Sequence, residues 1–182
     1  IKPIGGVKPF CGVAVTCNDG PADNLATYAS LTIVQPGDVV VSSAGGFTEI
    51  AVIGDLLLGM MKNAGVAAFV TDGAVRDIPG LRGVGLPCYA AAVTPNSPVR
   101  NGPGTIGFPM VCGGVAVGPG DIVLGDEDGV VVVPFARIDE TVERLAAVRA
   151  AEADLEAKVK GGLKVPHLLQ KLIDDGRFKY VD

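Results

Sequence analysis

This chain has no tryptophan, one histidine (His167) and no stripe of clustered lysine and arginine. Aromatic residues make up 5% of its 182 residues, and the formal net charge is −5 with a pI near 4.8. Neutralising a phosphate backbone needs clustered cations, so direct nucleic-acid binding is not expected. A single histidine excludes most His-ligated metal sites and any triad built on a histidine base. The four cysteines, Cys11, Cys17, Cys88 and Cys112, form no C-x-x-C and no ligand-like spacing. They read as reduced thiols of a cytoplasmic protein. No signal-peptide pattern is visible, and the start at Ile1 points to an N-terminus further upstream. No apolar run reaches the roughly 18 residues of a membrane span, so no membrane role is expected.

What is present is apolar bulk. Hydrophobic residues make up 48% of the chain and the mean hydropathy is +0.43. At this length the expectation is one domain, residues 1–182, with a proper core and helices from about residue 136 onward. The apolar surplus fits either burial between subunits or a large Val/Ala core. Strands are expected at residues 12–16, 39–41, 66–71 and 87–93, and helices at 23–31, with Asp23 as N-cap, and within 47–63. Residues 94–133 are rich in Gly, Pro and Val and read as short strands joined by tight turns. Residues 138–160 read as a long helix, and 165–173 as a last amphipathic segment. βα units, then a β-rich half, then helices favour a layered α/β sandwich over a doubly wound sheet.

The candidate chemistry lies in Gly54-Asp55 and Arg76-Asp77, a D-x20-R-D spacing. A helix over 55–63 runs about 14 Å at ~1.5 Å per residue. A strand over 66–71 returns roughly 20 Å at ~3.3 Å per residue. Asp72 to Asp77 then lie level with the start of the helix, so two carboxylates and a guanidinium share one end of one layer. That set can hold a divalent cation and an anionic substrate. Each residue alone has an ordinary use. Asp55 suits the positive end of a helix dipole, Asp77 suits the cap of a turn before Pro79, and Asp72 beside Gly73 suits an Asx turn. Arg100 is a loop arginine that could line the substrate mouth. Lys62 is the sole lysine between Phe10 and Phe135 and sits at a helix end, which disfavours a Schiff-base aldolase.

The run GDLLLGMMKNAGVAAFVTDGAVRDIPGL, with PGDVVV before it and GGVAVGPGDIVLGDEDGVVVVP after it, resembles the RraA-like family over roughly residues 24–152. That family includes 4-hydroxy-4-methyl-2-oxoglutarate aldolases and the regulator of ribonuclease E activity, and some members carry a demethylmenaquinone methyltransferase label. The resemblance implies a layered α/β/β/α sandwich of the swivelling-domain type, packed as a homotrimer or hexamer with the site at a subunit interface. It implies a pyruvate aldolase using Mg²⁺ or Mn²⁺ on a small α-keto acid, with oxaloacetate decarboxylation at the same site. By the same resemblance Asp77 holds the metal directly. Asp55 orients a metal-bound water, and Arg76 grips the pyruvyl unit. Backbone N–H groups from Gly54 through Asp55 and Leu56, with the Gly45-Gly46 loop, bind its carboxylate. Glu152, on the long helix, reaches a metal water of the neighbouring subunit.

The rival in another class is a non-catalytic regulator that binds a ribonuclease. Such members resemble chains that have lost the acid after the arginine, whereas this chain keeps Arg76-Asp77. A methyltransferase of the dinucleotide-binding type needs a G-x-G turn after its first strand. Ser43-Ala44-Gly45-Gly46 lacks that spacing.

Overall fold

The computed structural model describes residues 1–178. In chain order the strands and α-helices are β1 (Lys2–Pro3), β2 (Phe10–Asn18), α1 (Leu25–Ala29), β3 (Val39–Ser43), β4 (Ala51–Ile53), α2 (Asp55–Asn63), β5 (Ala68–Thr71), β6 (Ala74–Val75), α3 (Ile78–Val84), β7 (Cys88–Ala90), β8 (Ala92–Val93), β9 (Thr105–Ile106), β10 (Met110–Cys112), β11 (Val115–Val117), β12 (Ile122–Gly125), β13 (Val130–Val133), α4 (Ile138–Lys160) and α5 (His167–Asp174). The chain divides into two compact units, Ile1–Ile138 and the residues from Asp139 onward. The first is mixed α/β, the class expected from the sequence. The second holds nearly all of α4 together with α5. Among the described residues no helix is long and apolar enough to cross a membrane.

The main sheet of the first unit has the order β1-β7-β5-β3-β2-β12-β13, with β9 pairing on β2. β7, β5, β3 and β2 run parallel, and β1, β12 and β13 are antiparallel additions at the edges. Parallel strands covered on both faces should be continuously apolar. β3 and β5 are buried at every position. Alternation then sorts their side chains by face. Val40 and Phe69 pack with Leu57, Leu58, Met61 and Leu81. Val39, Val41 and Val70 pack with Tyr89, Val117 and Val123.

A second, smaller sheet positions the site. β4, β6 and β8 form three parallel strands in that order. The expected strand at 87–93 is therefore two strands, β7 and β8, that serve different sheets. The helix expected within 47–63 spans Asp55–Asn63, as its 55–63 reading has it, and the unpredicted β4 lies just ahead of it. α2 forms where Leu57, Leu58 and Met61 face the core. It ends in a Schellman turn, with Gly65 N–H bonded to Lys62 O and Val66 N–H to Met61 O, both at 3.0 Å. Gly65 has φ +81°, the left-handed region that glycine enters freely. The turn expected before Pro79 is instead the start of the seven-residue helix α3. The expected 23–31 helix begins at Leu25 and tightens to a 3₁₀ turn at Ser30–Thr32. Asn24, not Asp23, is its N-cap.

Buried Asp19 locks α1 to the ends of β2 and β3. Its carboxylate accepts Thr27 N–H at 2.9 Å, the Thr27 hydroxyl, and Ser42 Oγ at 2.8 Å. Burial pushes its carboxyl above the ordinary value of 3.8, and those hydrogen bonds only partly offset the shift. A carboxyl raised in the folded state contributes its stability below the ordinary value and loses it as pH rises through the folded one. Relative to Asp19→Asn, the native protein should therefore be most favoured below the ordinary value of 3.8 and lose that advantage as pH rises above it, as read from urea midpoints of both proteins. A difference that stays constant with pH would remove burial as the controlling influence on Asp19.

Candidate active site

Three chain segments leave the small sheet at the C-terminal ends of β4, β6 and β8. Gly54-Asp55 follows β4, Arg76-Asp77 follows β6, and the loop through Ser97 and Arg100 follows β8. Ligand sites in parallel sheets form at this end, where loops from neighbouring strands converge. The backbone holds the three in line. Arg76 N–H bonds to Ile53 O and Thr94 N–H bonds to Val75 O, each at 3.0 Å.

Around this edge lies a small cleft with a cavity volume of about 100 Å³. Gly54, Asp55, Leu56, Arg76, Asp77 and Arg100 line it. Two carboxylates and two guanidiniums thus face one space. Of two larger hollows, one of about 410 Å³ is lined chiefly by valines with Cys112 and one of about 590 Å³ includes Asp126 and Asp128; neither pairs carboxylates with a guanidinium, so chemistry and not size singles out the smaller one.

Arg76 is held at both ends. Its Nε lies 3.3 Å from Asp77 Oδ2, and its Nη1 donates to Ser97 Oγ. The Arg76 side chain is one-third exposed and that of Asp77 about half. Asp77 adopts φ +62°, and no side chain caps α3 from that position. A non-glycine residue in this region costs on the order of 1–3 kcal/mol and persists where the surroundings demand it.

Both carboxylates press against glycines. A Cβ at Gly54 would lie 2.3 Å from Asp77 Oδ2 and 3.1 Å from Arg76 Nε. A Cβ at Gly80 would lie 2.3 Å from Asp55 Oδ2 and 2.6 Å from Asp55 Cβ. Gly54 is also the N-cap of α2, in extended conformation. The first helical bond there is Leu58 N–H to Gly54 O at 3.2 Å. The N–H groups of Asp55, Leu56 and Leu57 precede it without a side-chain cap. Unpaired helix N–H groups beside a cleft favour a bound anion.

Asn24 lies among the lining residues and had no functional signal in the sequence. Its Nδ2 donates to Val52 O at 2.7 Å. Its Oδ1 is the one buried side-chain nitrogen or oxygen without a hydrogen-bond partner among the described residues. Such an orphan costs roughly 1–3 kcal/mol unless something supplies a donor.

The remaining candidates lie elsewhere. Asp72 accepts Ala44 N–H at 2.7 Å and Gly113 N–H at 3.2 Å, so it pins loops. Gly45-Gly46 is not among the lining residues. Glu152 is an exposed residue of α4 in the second unit. Lys62 reaches Val84 O from the far end of α2. Burial pushes the Cys17, Cys88 and Cys112 thiols up to about 12, so none of these three is a nucleophile.

No three Asp, Glu, Cys or His side chains converge among the described residues. A cation in this cleft would therefore be held by few protein oxygens and by water. That suits a hard ion such as Mg²⁺, which dehydrates reluctantly. The half-exposed Asp77 carboxylate, seated in the space left by the missing Cβ of Gly54, fits that requirement.

Fold and cleft together define a mixed α/β protein with an acid–arginine site at the C-terminal edge of a small parallel sheet. The chain belongs to the RraA-like family, described as Aldolase/RraA, whose model matches residues 1–132. It is 37% identical over 158 residues to a Halalkalibacterium halodurans protein provisionally named a 4-hydroxy-4-methyl-2-oxoglutarate aldolase, covering 87% of this chain and 74% of that one. It superposes on the RNA-processing inhibitor RraA from Thermus thermophilis with TM-score 0.69 and 34% identity, over 73% of this chain and 80% of the other. A Geobacillus kaustophilus structure described as an S-adenosylmethionine:2-dimethylmenaquinone methyltransferase matches with TM-score 0.69 and 30% identity, over 72% and 81%.

Gly54→Ala should separate the site from the fold. Its extended backbone accepts alanine, and the first atom struck is the mobile end of Asp77. The expected change in urea midpoint corresponds to about 1 kcal/mol or less, while whatever turnover the cleft carries falls at least roughly tenfold. Unchanged turnover in a folded variant would show that the position of the Asp77 carboxylate is immaterial.

Proposed function

We propose that this protein is a divalent-metal-dependent lyase that cleaves 4-hydroxy-4-methyl-2-oxoglutarate-type keto acids to pyruvate and decarboxylates oxaloacetate at the same site. The observation that carries this reading is the Arg76–Asp77 pair set against Gly54 at the uncapped start of α2. The name of the Halalkalibacterium halodurans relative points the same way.

Asp77, with water, holds Mg²⁺ or Mn²⁺. When bound, such a cation withdraws charge from the substrate's C2 carbonyl and favours the enolate. Arg76 supplies a planar, permanently charged fork for the pyruvyl carboxylate and keto oxygen. Its bonds to Asp77 and Ser97 fix that fork before substrate arrives. The N–H groups of Leu56 and its neighbours take the remaining carboxylate oxygen. Asp55 moves protons through a water. In the cleavage the C4 hydroxyl loses its proton and the C3–C4 bond breaks. The electron pair passes into the C2–C3 enolate, C3 takes up a proton, and two pyruvates leave. In oxaloacetate the same enolate forms as CO₂ departs.

Glu152 is proposed as the acid from a neighbouring subunit in a homotrimer or hexamer. It sits on one face of α4 with the exposed Leu145, Val148, Leu155 and Val159, spaced by threes and fours. A lone acid within such a seam suits a helix that packs against another copy.

With Mg²⁺ or Mn²⁺ the purified protein should release pyruvate from 4-hydroxy-4-methyl-2-oxoglutarate, and EDTA should abolish the release. Asp77→Ala should lose both activity and metal dependence. Arg76→Ala should lower kcat/KM by roughly 10²- to 10³-fold. Pyruvate release untouched by chelator, or a full rate in Asp77→Ala, would sink the metal mechanism. No release from any keto acid would leave the ribonuclease-binding role as the better reading.

A further inference from the structure

The cleft holds a second guanidinium that the proposed chemistry at C2 does not use. Arg100 lines the same space as Arg76. A loop arginine free in solvent would have no fixed place, but this one is anchored. Its guanidinium carbon lies 4.6 Å from the ring centroid of Tyr28, over the ring, and Nη2 reaches the Tyr28 hydroxyl at 3.4 Å. Cation–π stacking of this kind orients the plane of an arginine.

The loop beneath Arg100 is fastened as well. Val99 exchanges backbone hydrogen bonds with Ala22 (3.0 Å) and Asn24 (3.1 Å). Asn101 and Gly102 both donate backbone N–H to Asp23 Oδ2, at 2.7 and 2.9 Å. Burial pushes the Asp23 carboxyl up, but the donated N–H groups of Leu25, Asn101, Gly102 and Asn24 outweigh that and hold it below its ordinary value. The charged form of Asp23 is therefore the one that grips the loop. Ala22 is the second non-glycine residue with positive φ, at +60°, and it stands at the base of this clamp.

Charge balance then bears on the substrate. Within the cleft Asp55 and Asp77 offset Arg76 and Arg100. A divalent cation leaves a surplus of two positive charges, which a monocarboxylate matches only by half. We propose, resting on the keto-acid lyase function above, that Arg100 stacked on Tyr28 is the specificity residue that binds the second carboxylate of a dicarboxylic 2-oxo acid, at the end of the substrate away from the pyruvyl unit.

The test compares 2-oxoglutarate with 2-oxopentanoate, two five-carbon 2-oxo acids that differ in bearing a carboxylate or a methyl at C5. Their binding to the full chain is measured by calorimetry in Mg²⁺, independently of turnover. The native protein should prefer the dicarboxylate by about ten- to hundredfold, the worth of one charge-assisted pair. Arg100→Gln should erase that preference and Arg100→Lys should restore part of it. Arg76→Ala should weaken both acids together. A preference that survives in Arg100→Gln, or none in the native protein, overturns the assignment. A preference lost in Arg100→Gln while the native protein releases no pyruvate from any keto acid supports Arg100 and sinks the lyase reading alone.

Discussion

The site depends on three very short strands ending on one line. β4, β6 and β8 contain only two or three residues each. So little ladder cannot hold itself together in water. Burial holds it instead: all five residues of β4 and β6 are at most 2% exposed. Because Ile53 and Val75 are fixed in the core, the residues after them emerge in register. Gly54, Arg76 and Asp77 meet there without contacts of their own having to draw them together. Core packing is thus the immediate cause of the cleft's geometry.

The same edge shows where local preference has been overridden. Asp77 sits in left-handed backbone, and the Asp55 and Asp77 carboxylates lie where most residues at Gly80 and Gly54 would place a Cβ. Each feature is unfavourable or unusual on its own, and all of them crowd around the two acids. Strain persists where surroundings over-determine it, and such places tend to be functional. Asn24, with its unpaired buried Oδ1, belongs to the same neighbourhood.

Aspartates do two kinds of work in this chain. Asp19, Asp23, Asp72 and Asp121 are buried, and each accepts backbone N–H groups from segments that would otherwise drift. They tie α1, the Arg100 loop and the hairpin ends to the sheets. Asp55 and Asp77 are more exposed, make no such clamp and face a space. Residue type does not separate the two groups; the hydrogen-bond partners do.

Some of this was already written in the chain. The lengths of α2 and β5 follow from local periodicity, and their sum returns the backbone to its starting level. Those lengths predicted Asp55 and Arg76-Asp77 at one edge without knowledge of distant contacts, while the pairing of β4 with β6 is what aligns them there. Apolar runs at 39–41 and 66–71 likewise marked the buried parallel strands, because burial on both faces leaves a local signature. The β4-β6-β8 sheet left none, since strands of two or three residues have no period to detect. The split of residues 87–93 between two sheets, the helix at Pro79-Gly80 and the orphaned Asn24 were decided by packing from elsewhere in the chain. Arg100 is the clearest case. Its sequence neighbours describe a solvated loop, and only the fold brings Tyr28 and Asp23, more than seventy residues earlier, against it.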